Sequence, residues 1–398
     1  MSKFNKNPSI RSLAFIDGET RSLERRIDLP IVDNTEFREA LVARIESVTK
    51  EVIEQICSGR LPQVSYSWSQ NSVDNQTFEE NDESQAVEEF EQTTQDTDRN
   101  EKRTVIDFAR SRSKDKLALM MTVMAAAHRL LITNSTITRR SLYYHLKNEK
   151  TLNLAPEQKH VDLTVNHVAN LLNCAPWELN LLPTSKGLAA GELTLTLIDN
   201  RIIDCTVPGG ALIPHIASNV ISARTKAKMA LIVEKDSAFQ KLLEEDCTKL
   251  LNCILITGKG YPDVATRMLV KLLADKMALP VYAIVDADPF GVDIMCVYRF
   301  GSANLFKEKE SLACPNVRWL GIRPSELVAL GVNTVPLSES DLSKLIAIEG
   351  RPYINEAFLG ELRIMRMGKA EIENVSSFSR KFLSATYLPC KIMGGDYI

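Results

Sequence analysis

The 398-residue chain has no Cys-x-x-Cys pair, no cluster of Cys and His at ligand spacing and no strong excess of charge. Its eight cysteines are scattered, which argues against a zinc finger and against a disulfide scaffold. The net charge is -3, so a surface that binds nucleic acid must be local. The longest apolar run, around residues 117–127, is too short to span a bilayer, and the N-terminus is polar. We therefore expect an intracellular protein in a reducing compartment, without membrane contact.

What is present indicates a folded protein with more than one domain. The chain is 44% hydrophobic and 25% charged, and its length exceeds what one core usually holds. Residues 36–57 carry apolar side chains at the spacing of an amphipathic helix. The stretch from about 67 to 101 is polar and acidic, with few aliphatic residues. This composition favours a disordered linker, and the alternatives are an acidic mimic of DNA or a docking segment for a partner.

Folded sequence resumes near residue 104 with a pattern typical of a DNA-binding module. Three helices are predicted, at residues 116–132, 139–148 and 163–172. Ser135 or Thr138 can cap the second of them. Short strands and turns follow between residues 177 and 203, including the alternating run Leu193–Leu197. Three helices followed by a hairpin indicate a winged-helix domain, a variant of the helix-turn-helix.

From Thr225 onward, short apolar runs alternate with amphipathic helices. The runs are 231–233, 253–256, 281–285 and 317–320. Between the second and third runs, residues 262–279 have apolar side chains every four positions, as in a helix that packs on a sheet. This alternation predicts a parallel α/β domain.

Acidic residues follow two of these predicted strands. Glu234 comes directly after the first run, and Asp286 and Asp288 come directly after the third. The carboxyl ends of parallel strands meet at one edge of the sheet, so the three carboxylates converge if the first and third strands are neighbours. Converging carboxylates repel each other unless a cation neutralises them, and an all-oxygen set suits Mg²⁺. The alternative is solvated acids at strand ends.

The second predicted strand ends in the run TGKGYPD, residues 257–263. The run lacks Walker A spacing, so the chain has no sign of an ATP site of that type. Its glycines permit a tight turn that leaves Lys259 available to a phosphate group. A plain strand-to-helix turn is the alternative.

A tyrosine and an arginine share one face of the second predicted helix. Arg140 and Tyr144 are four residues apart, which places them side by side. A guanidinium favours the phenolate form of tyrosine and can hold a phosphate with two hydrogen bonds. Such a pair is what phosphotyrosyl transfer needs. By itself, however, a pair of this kind is more often an ordinary part of a protein surface.

Together these motifs resemble the type IIB topoisomerase family, which comprises the A subunit of topoisomerase VI and the eukaryotic meiotic double-strand-break transesterase. The resemblance extends over roughly residues 104–398, and GKGYPD and DADPFG are closest to the meiotic branch. The matching segments are TRRSLYYHLK, TSKGLAAG, LIVEKDSAFQKLL, ITGKGYPDVATRMLVKLLAD, DADPFGVDIMCVYRFGS, VRWLGIRPSEL, RPYI, YLPCKI and GGDYI.

The resemblance implies roles for individual residues. Tyr144 falls on the nucleophile and Arg140 on its partner arginine. The Mg²⁺-binding triad of the Toprim domain falls on Glu234, Asp286 and Asp288. Basic residues expected to face DNA are Arg139, Lys186, Lys259 and Arg267. Two positions depart from the common pattern, Ser141 and Phe290, and neither carries a proposed catalytic role.

We therefore expect an α/β multidomain protein. Residues 1–103 would hold the N-terminal helix and linker, residues 104–215 a winged-helix domain, and residues 216–398 a Toprim-type parallel α/β domain. The resemblance implies a Mg²⁺-dependent transesterase that makes the double-strand breaks of meiotic recombination through a 5′-phosphotyrosyl intermediate. Alternatives are a Toprim nuclease that uses water and a DNA-binding homologue without activity.

The resemblance also implies the setting in which the chain works. The expected partners are double-stranded DNA, a second copy of the chain for cleavage, a topoisomerase-VI-B-like subunit that supplies the ATP site, and other meiotic break-forming proteins. The expected location is the nucleus, on chromosomes.

Overall fold

The structure is a computed structural model that describes residues 24–29, 34–69, 101–148, 151–301 and 312–398. Most of the predicted acidic linker, residues 70–100, lies outside the described residues. Within them, no helix is both long and apolar enough to cross a membrane.

The N-terminal part of the chain is mainly helical. Its elements are β1 (Arg25–Asp28), α1 (Thr35–Cys57), β2 (Gln63–Ser69), β3 (Glu101–Asp107), α2 (Ser111–Ile132), β4 (Ile137–Thr138), α3 (Arg139–His145), α4 (Gln158–Leu171), the 3-10 helix Pro176–Leu179 and β5 (Leu181–Leu182). The predicted helices at 36–57, 116–132, 139–148 and 163–172 are confirmed, with shifted ends. The Thr138 hydroxyl accepts a hydrogen bond from Ser141 N–H at 3.0 Å and caps α3, as predicted.

One apolar core joins helix α1 to the helices that follow it. Leu41 and Ile45 of α1 belong to the same buried cluster as Met120 of α2 and Val165 of α4. The strand pair β2–β3 also contributes to this cluster, through Ile106 among others. The predicted boundary at 103/104 therefore falls inside a strand, in a region that packs together from α1 to β5.

Strands β2 and β3 pair over their full length, with Ser69 opposite Glu101. The ends of the two strands are thus close enough to be joined by a two-residue turn. We expect replacement of residues 70–100 by Asn-Gly to leave the melting temperature within about 2 °C, because the removed segment has few apolar groups. Thermal unfolding followed by circular dichroism measures this. A drop of about 10 °C or more would show that the segment belongs to the folded structure.

The predicted hairpin after the helices does not pack on them. Strands β6 (Leu188–Ala190), β7 (Leu193–Leu197), β8 (Ile202–Asp204), β9 (Ala211–Leu212) and β10 (Val220–Thr225), with the short helix α5 (Ile216–Asn219), follow in order. Strand β7 lies in an antiparallel sheet of order β1-β10-β7-β8. Its Leu193, Leu195 and Leu197 belong to a buried cluster of the α/β part that also contains Ile256. The expected wing therefore belongs to the C-terminal core, and the predicted boundary at 215/216 divides this sheet.

The C-terminal part is built on a six-stranded sheet of order β14-β13-β11-β12-β6-β9. Four of its strands are parallel: β11 (Met229–Val233), β12 (Cys253–Thr257), β13 (Val281–Ile284) and β14 (Val317–Gly321). Their continuous apolar runs fit burial on both faces. Two antiparallel strands, β6 and β9, extend the edge. The predicted parallel α/β domain is confirmed, and the antiparallel edge was not predicted.

Helices cover both faces of this sheet. They are α6 (Asp236–Glu244), α7 (Cys247–Leu250), α8 (Val264–Lys271), α9 (Pro289–Phe300), α10 (Pro324–Leu330), α11 (Glu339–Glu349), α12 (Glu356–Met365), α13 (Ile372–Ser376) and α14 (Leu388–Gly394), with π-helical turns at Leu272–Lys276 and Leu383–Tyr387. Two buried clusters, one on each side of the sheet, contain the strand side chains that alternate between the faces.

Candidate active site

The strand order creates a crevice at the carboxyl ends of β11 and β13. The chain passes from β11 to β12 on one side and then returns to place β13 on the other side, in register with β11. Loops leave such a point in opposite directions, and ligands of open α/β sheets bind there. Glu234 follows β11, and Asp286 and Asp288 follow β13. The first and third strands are neighbours, which was the condition for the predicted convergence of the three carboxylates.

Hydrogen bonds hold the three carboxylates in place. Glu234 Oε2 accepts from Asp286 N–H at 2.8 Å. Asp286 Oδ1 accepts from Ile372 N–H at 2.8 Å. Asp288 Oδ1 accepts from Gly291 N–H at 2.7 Å, which caps helix α9. A side chain at Gly291 would meet Glu234 Oε2 at 2.8 Å, so the glycine permits this close approach.

Burial makes negative charge unfavourable in this cluster. Burial, followed by the Asp286 charge, raises the pKa of Glu234 to about 8. Burial likewise raises the pKa of Asp286 to about 6, against the opposing effect of Lys235. Burial raises the pKa of Asp288 above its usual range. Neighbouring lysines therefore offset the charge of the three carboxylates only in part, as expected of a site that receives a cation.

Lys235 is a member of the site that the sequence analysis missed. Its Nζ lies 2.7 Å from Asp286 Oδ2 and 3.2 Å from Glu371 Oε2. Although burial alone disfavours its charge, the bond to Asp286 raises the pKa of Lys235. The segment 369–373 brings Glu371 to this place, because Ala370 pairs with Ala287 through backbone hydrogen bonds. The only signal in the sequence was the position of Lys235 directly after Glu234.

The carboxylate oxygens of Glu234, Asp286 and Asp288 are donors of the kind that Mg²⁺ prefers, although they do not surround a single point. Among the described residues, no three carboxylate, His or Cys side chains form a group that could hold a metal as they lie. The described residues nevertheless leave Glu234 Oε1 and Asp288 Oδ2 without a hydrogen-bond donor. Mg²⁺ commonly binds through one or two carboxylates and keeps several waters. Glu234 and Asp288, whose pKa values are both raised by burial, therefore offer two carboxylate oxygens for such an ion.

Tyr144 and Arg140 lie side by side on helix α3, as their spacing predicted. Arg140 Nη2 donates toward Tyr144 Oη at 3.5 Å, and its guanidinium carbon is 5.9 Å from the centre of the tyrosine ring. Tyr144 is 59% exposed, so its hydroxyl is open to a large substrate. The neighbouring Tyr143 differs, because its hydroxyl donates to Pro156 O at 3.1 Å.

Two of the predicted basic contacts lie at the rim of the crevice. Lys259 has left-handed backbone angles, and its Nζ lies 3.1 Å from Asp236 Oδ2. Lys186 Nζ donates to the carbonyl of Lys259 at 3.3 Å. The loop is tied to the site because Gly260 N–H donates to Glu234 O at 3.0 Å.

The other two predicted basic contacts are largely inside the protein. Arg267 is only 3% exposed on helix α8, which argues against a direct contact with DNA. Arg139 Nη1 lies 3.8 Å from Asp162 Oδ1 and links helix α3 to helix α4. Periodicity did not distinguish these residues from exposed basic side chains, because their burial depends on neighbouring elements.

The tyrosine and the carboxylates form two separate centres. No hydrogen bond or ion pair of the described residues links Tyr144 or Arg140 to Glu234, Asp286 or Asp288. Leu142 of α3 belongs to the N-terminal core, whereas the carboxylates follow strands of the C-terminal core.

The chain joins an α/β sheet with acidic residues at its switch point to a helical region with an exposed Tyr–Arg pair. Comparison with family models assigns the sheet to the Toprim class. Residues 229–392 match the model of the Toprim domain that the topoisomerase 6 A subunit shares with Spo11. Residues 115–181 match the model described as type IIB DNA topoisomerase.

Three known relatives identify the family more closely. The chain is 39% identical to human meiotic recombination protein SPO11, over 72% of this chain and 74% of the relative. It is 33% identical to the mouse protein of the same name, over 90% and 88%. It is 34% identical to the A subunit of DNA topoisomerase 6 from Arabidopsis thaliana, over 75% and 70%. The chain belongs to the family that unites Spo11 with the A subunit of topoisomerase VI.

Proposed function

We propose that this chain is a topoisomerase-like DNA transesterase that makes the double-strand breaks of meiotic recombination. The observation that carries the proposal is the exposed Tyr144 hydroxyl beside the Arg140 guanidinium. Family membership supports it, since the matched relatives include meiotic recombination proteins and a topoisomerase subunit.

The proposed reaction exchanges one phosphodiester for another. Tyr144 Oη attacks a backbone phosphorus, a bond forms between them, and the bond from phosphorus to the 3′ oxygen breaks. The strand is left with a 5′ end joined to the protein and a free 3′ hydroxyl. The phenolic proton is lost to solvent, and the 3′ oxygen takes up a proton. Arg140 favours the phenolate and donates to the phosphate oxygens.

The carboxylates have a separate task in this proposal. Glu234, Asp286 and Asp288 would hold Mg²⁺, with Glu234 and Asp288 binding through the oxygens that accept no hydrogen bond. The bound ion would supply positive charge close to the reacting phosphate. Lys186 and Lys259, at the rim of the same crevice, would contact the DNA backbone.

We further propose that two copies of the chain act on one duplex. As the family resemblance implies, the tyrosine of one copy would work with the carboxylates of the other. The absence of a hydrogen bond or ion pair between Tyr144 and these carboxylates among the described residues agrees with that arrangement. Helices α2, α3 and α4 would form the winged-helix DNA-binding unit, with the short β4–β5 pair in place of the hairpin that the sequence predicted. The ATP site would come from a topoisomerase-VI-B-like subunit, with other meiotic break-forming proteins on chromosomes in the nucleus.

Recovery of the covalent product tests the proposed function. The chain is immunoprecipitated under denaturing conditions from cells in meiosis, and attached DNA is end-labelled at its 3′ hydroxyl. We expect short oligonucleotides that are released by protease and that carry a blocked 5′ end. Breaks with free 5′ ends and no attached protein would instead indicate a nuclease that uses water.

Arg140 offers a second test, with a matched control. Arg140→Lys keeps the positive charge but loses the planar pair of donors, so we expect covalent product to fall about 100-fold. Arg129→Lys makes the same change at an exposed position on helix α2 and should have no effect. Product is quantified by the end-labelling assay at equal protein levels. Normal product from Arg140→Lys would mean that this guanidinium does not act on the phosphate.

A further inference from the structure

The Lys235 ammonium lies at the carboxylate cluster, at the place where the proposed divalent cation would bind. Its Nζ is 2.7 Å from Asp286 Oδ2, a carboxylate that is almost completely buried. Lys235 itself is 32% exposed, so its side chain has room to move. Among the described residues it pairs directly with Asp286 and offsets part of the repulsion among the three carboxylates.

The carboxylate of Glu373 offers a second binding position for the Lys235 ammonium. Glu373 Oε1 accepts a hydrogen bond from the Ser237 hydroxyl at 2.7 Å, which fixes the carboxylate. Glu373 Oε2 is shielded from solvent and accepts no hydrogen bond in the part of the chain that the structure describes. It already forms a long ion pair with Lys235 Nζ at 3.7 Å, which a shorter approach of the ammonium would turn into a hydrogen bond. A buried carboxylate oxygen without a donor is costly unless a donor can reach it.

We propose that Lys235 is the resident counter-ion of the carboxylate cluster, and that a divalent cation displaces it from Asp286 onto Glu373. Lys235 thereby sets the affinity of the site for the cation, because the two positive charges compete for Asp286. Glu373 reduces the cost of the exchange by receiving the ammonium. The inference rests on the proposed Mg²⁺ site and adds two positioning residues to it.

Variants that each remove one charge distinguish this exchange from a simple effect of nearby charge on Mg²⁺ affinity. Lys235→Gln removes the competitor, so we expect Mg²⁺ to bind roughly five-fold more tightly. Glu373→Gln removes the receiving oxygen, so we expect Mg²⁺ to bind roughly five-fold more weakly. Glu371→Gln is the matched control: it removes the same charge from the same segment, at a more exposed carboxylate. Its effect should be clearly smaller.

The decisive measurement is a double-mutant cycle on Mg²⁺ affinity, by calorimetric titration of the full chain with MgCl₂ at constant pH and ionic strength. If Glu373 acts through Lys235, Glu373→Gln has no effect in the Lys235→Gln background. The same weakening in both backgrounds would overturn the exchange, as would unchanged or weaker binding by Lys235→Gln alone. Equal effects of Glu371→Gln and Glu373→Gln would overturn the assignment of Glu373.

Two outcomes keep the inference apart from the proposed function. Absence of Mg²⁺ binding to the unmodified chain would remove the proposed Mg²⁺ site, and the inference with it. Normal binding by the unmodified chain with unaltered variants would overturn only the exchange. Should Lys235→Gln fail to fold, as its melting curve would show, the comparison of Glu373→Gln with Glu371→Gln decides alone.

Discussion

Tyr144→Phe is expected to abolish covalent cleavage of DNA while leaving the fold and DNA binding intact. The change removes one hydroxyl that is 59% exposed and whose only hydrogen-bond partner among the described residues is Arg140. Nothing in the core depends on it. Without the hydroxyl no phosphotyrosyl bond can form, so the loss should be complete rather than partial.

Tyr143→Phe is the matched control for this prediction. It removes the same atom one residue away, where the hydroxyl donates to Pro156 O. We expect a loss of stability of about 1 kcal/mol, seen in the melting temperature, and retained cleavage. End-labelled covalent product and duplex binding by fluorescence anisotropy are measured for both variants. An active Tyr144→Phe with an inactive Tyr143→Phe would mean that Tyr143 is the nucleophile.

The second large effect is expected at the carboxylates. Asp288→Asn keeps a side-chain oxygen that can cap helix α9 through Gly291 N–H, so the fold should persist. It removes one charged oxygen from the proposed Mg²⁺ site, so we expect loss of cleavage at normal DNA affinity. Asp246→Asn is the control, because Asp246 pairs with surface lysines outside the cluster. Cleavage by Asp288→Asn that matches the unmodified chain across a Mg²⁺ titration would separate Asp288 from the metal.

Glu234→Gln is expected to have opposite effects on stability with and without Mg²⁺. The folded-state pKa of Glu234 is about 8, above its ordinary value of 4.5, so the folded protein favours the neutral carboxyl. In the metal-free protein, stability is therefore lost as the pH rises from about 4.5 through about 8. Glutamine stays neutral, so metal-free Glu234→Gln should melt at the same temperature as the unmodified chain or higher near pH 8.

The same carboxyl makes Mg²⁺ stabilisation depend on pH. A cation that binds Glu234 must displace its proton, so the rise in melting temperature caused by Mg²⁺ should be larger near pH 8 than near pH 6. Glu234→Gln should show little rise at either pH. A rise that is equal in both proteins would place the ion elsewhere.

Local spacing was enough to predict several parts of the site. The four-residue interval between Arg140 and Tyr144 predicts their contact, because the geometry of one helix sets it. The buried runs ending in Glu234 and in Asp286 predict parallel strands, because such runs need cover on both faces. The adjacency of β11 and β13 was a condition in that prediction, and the strand order confirms it.

Contacts between distant segments could not be predicted in the same way. The run Leu193–Leu197 was predicted to be part of a hairpin that packs on the three helices before it. Its inward side chains instead pack in the C-terminal core. The family resemblance predicted that Arg267 faces DNA, yet Arg267 is buried on helix α8. Lys235 reads as an ordinary charged residue until segment 369–373 is placed beside it. Each outcome depends on which surfaces meet, and no local interval in the sequence encodes that.

The amino-acid sequence alone was sufficient to predict a helix with a Tyr–Arg pair and strands that end in carboxylates. These follow from residue type and short-range periodicity, which the backbone geometry of helices and strands converts directly into position. The assignment of the tyrosine and the carboxylates to different parts of one chain, and the position of Lys235 between Asp286 and Glu373, follow only from the folded structure. These depend on long-range packing, where burial of apolar faces brings together residues more than a hundred positions apart.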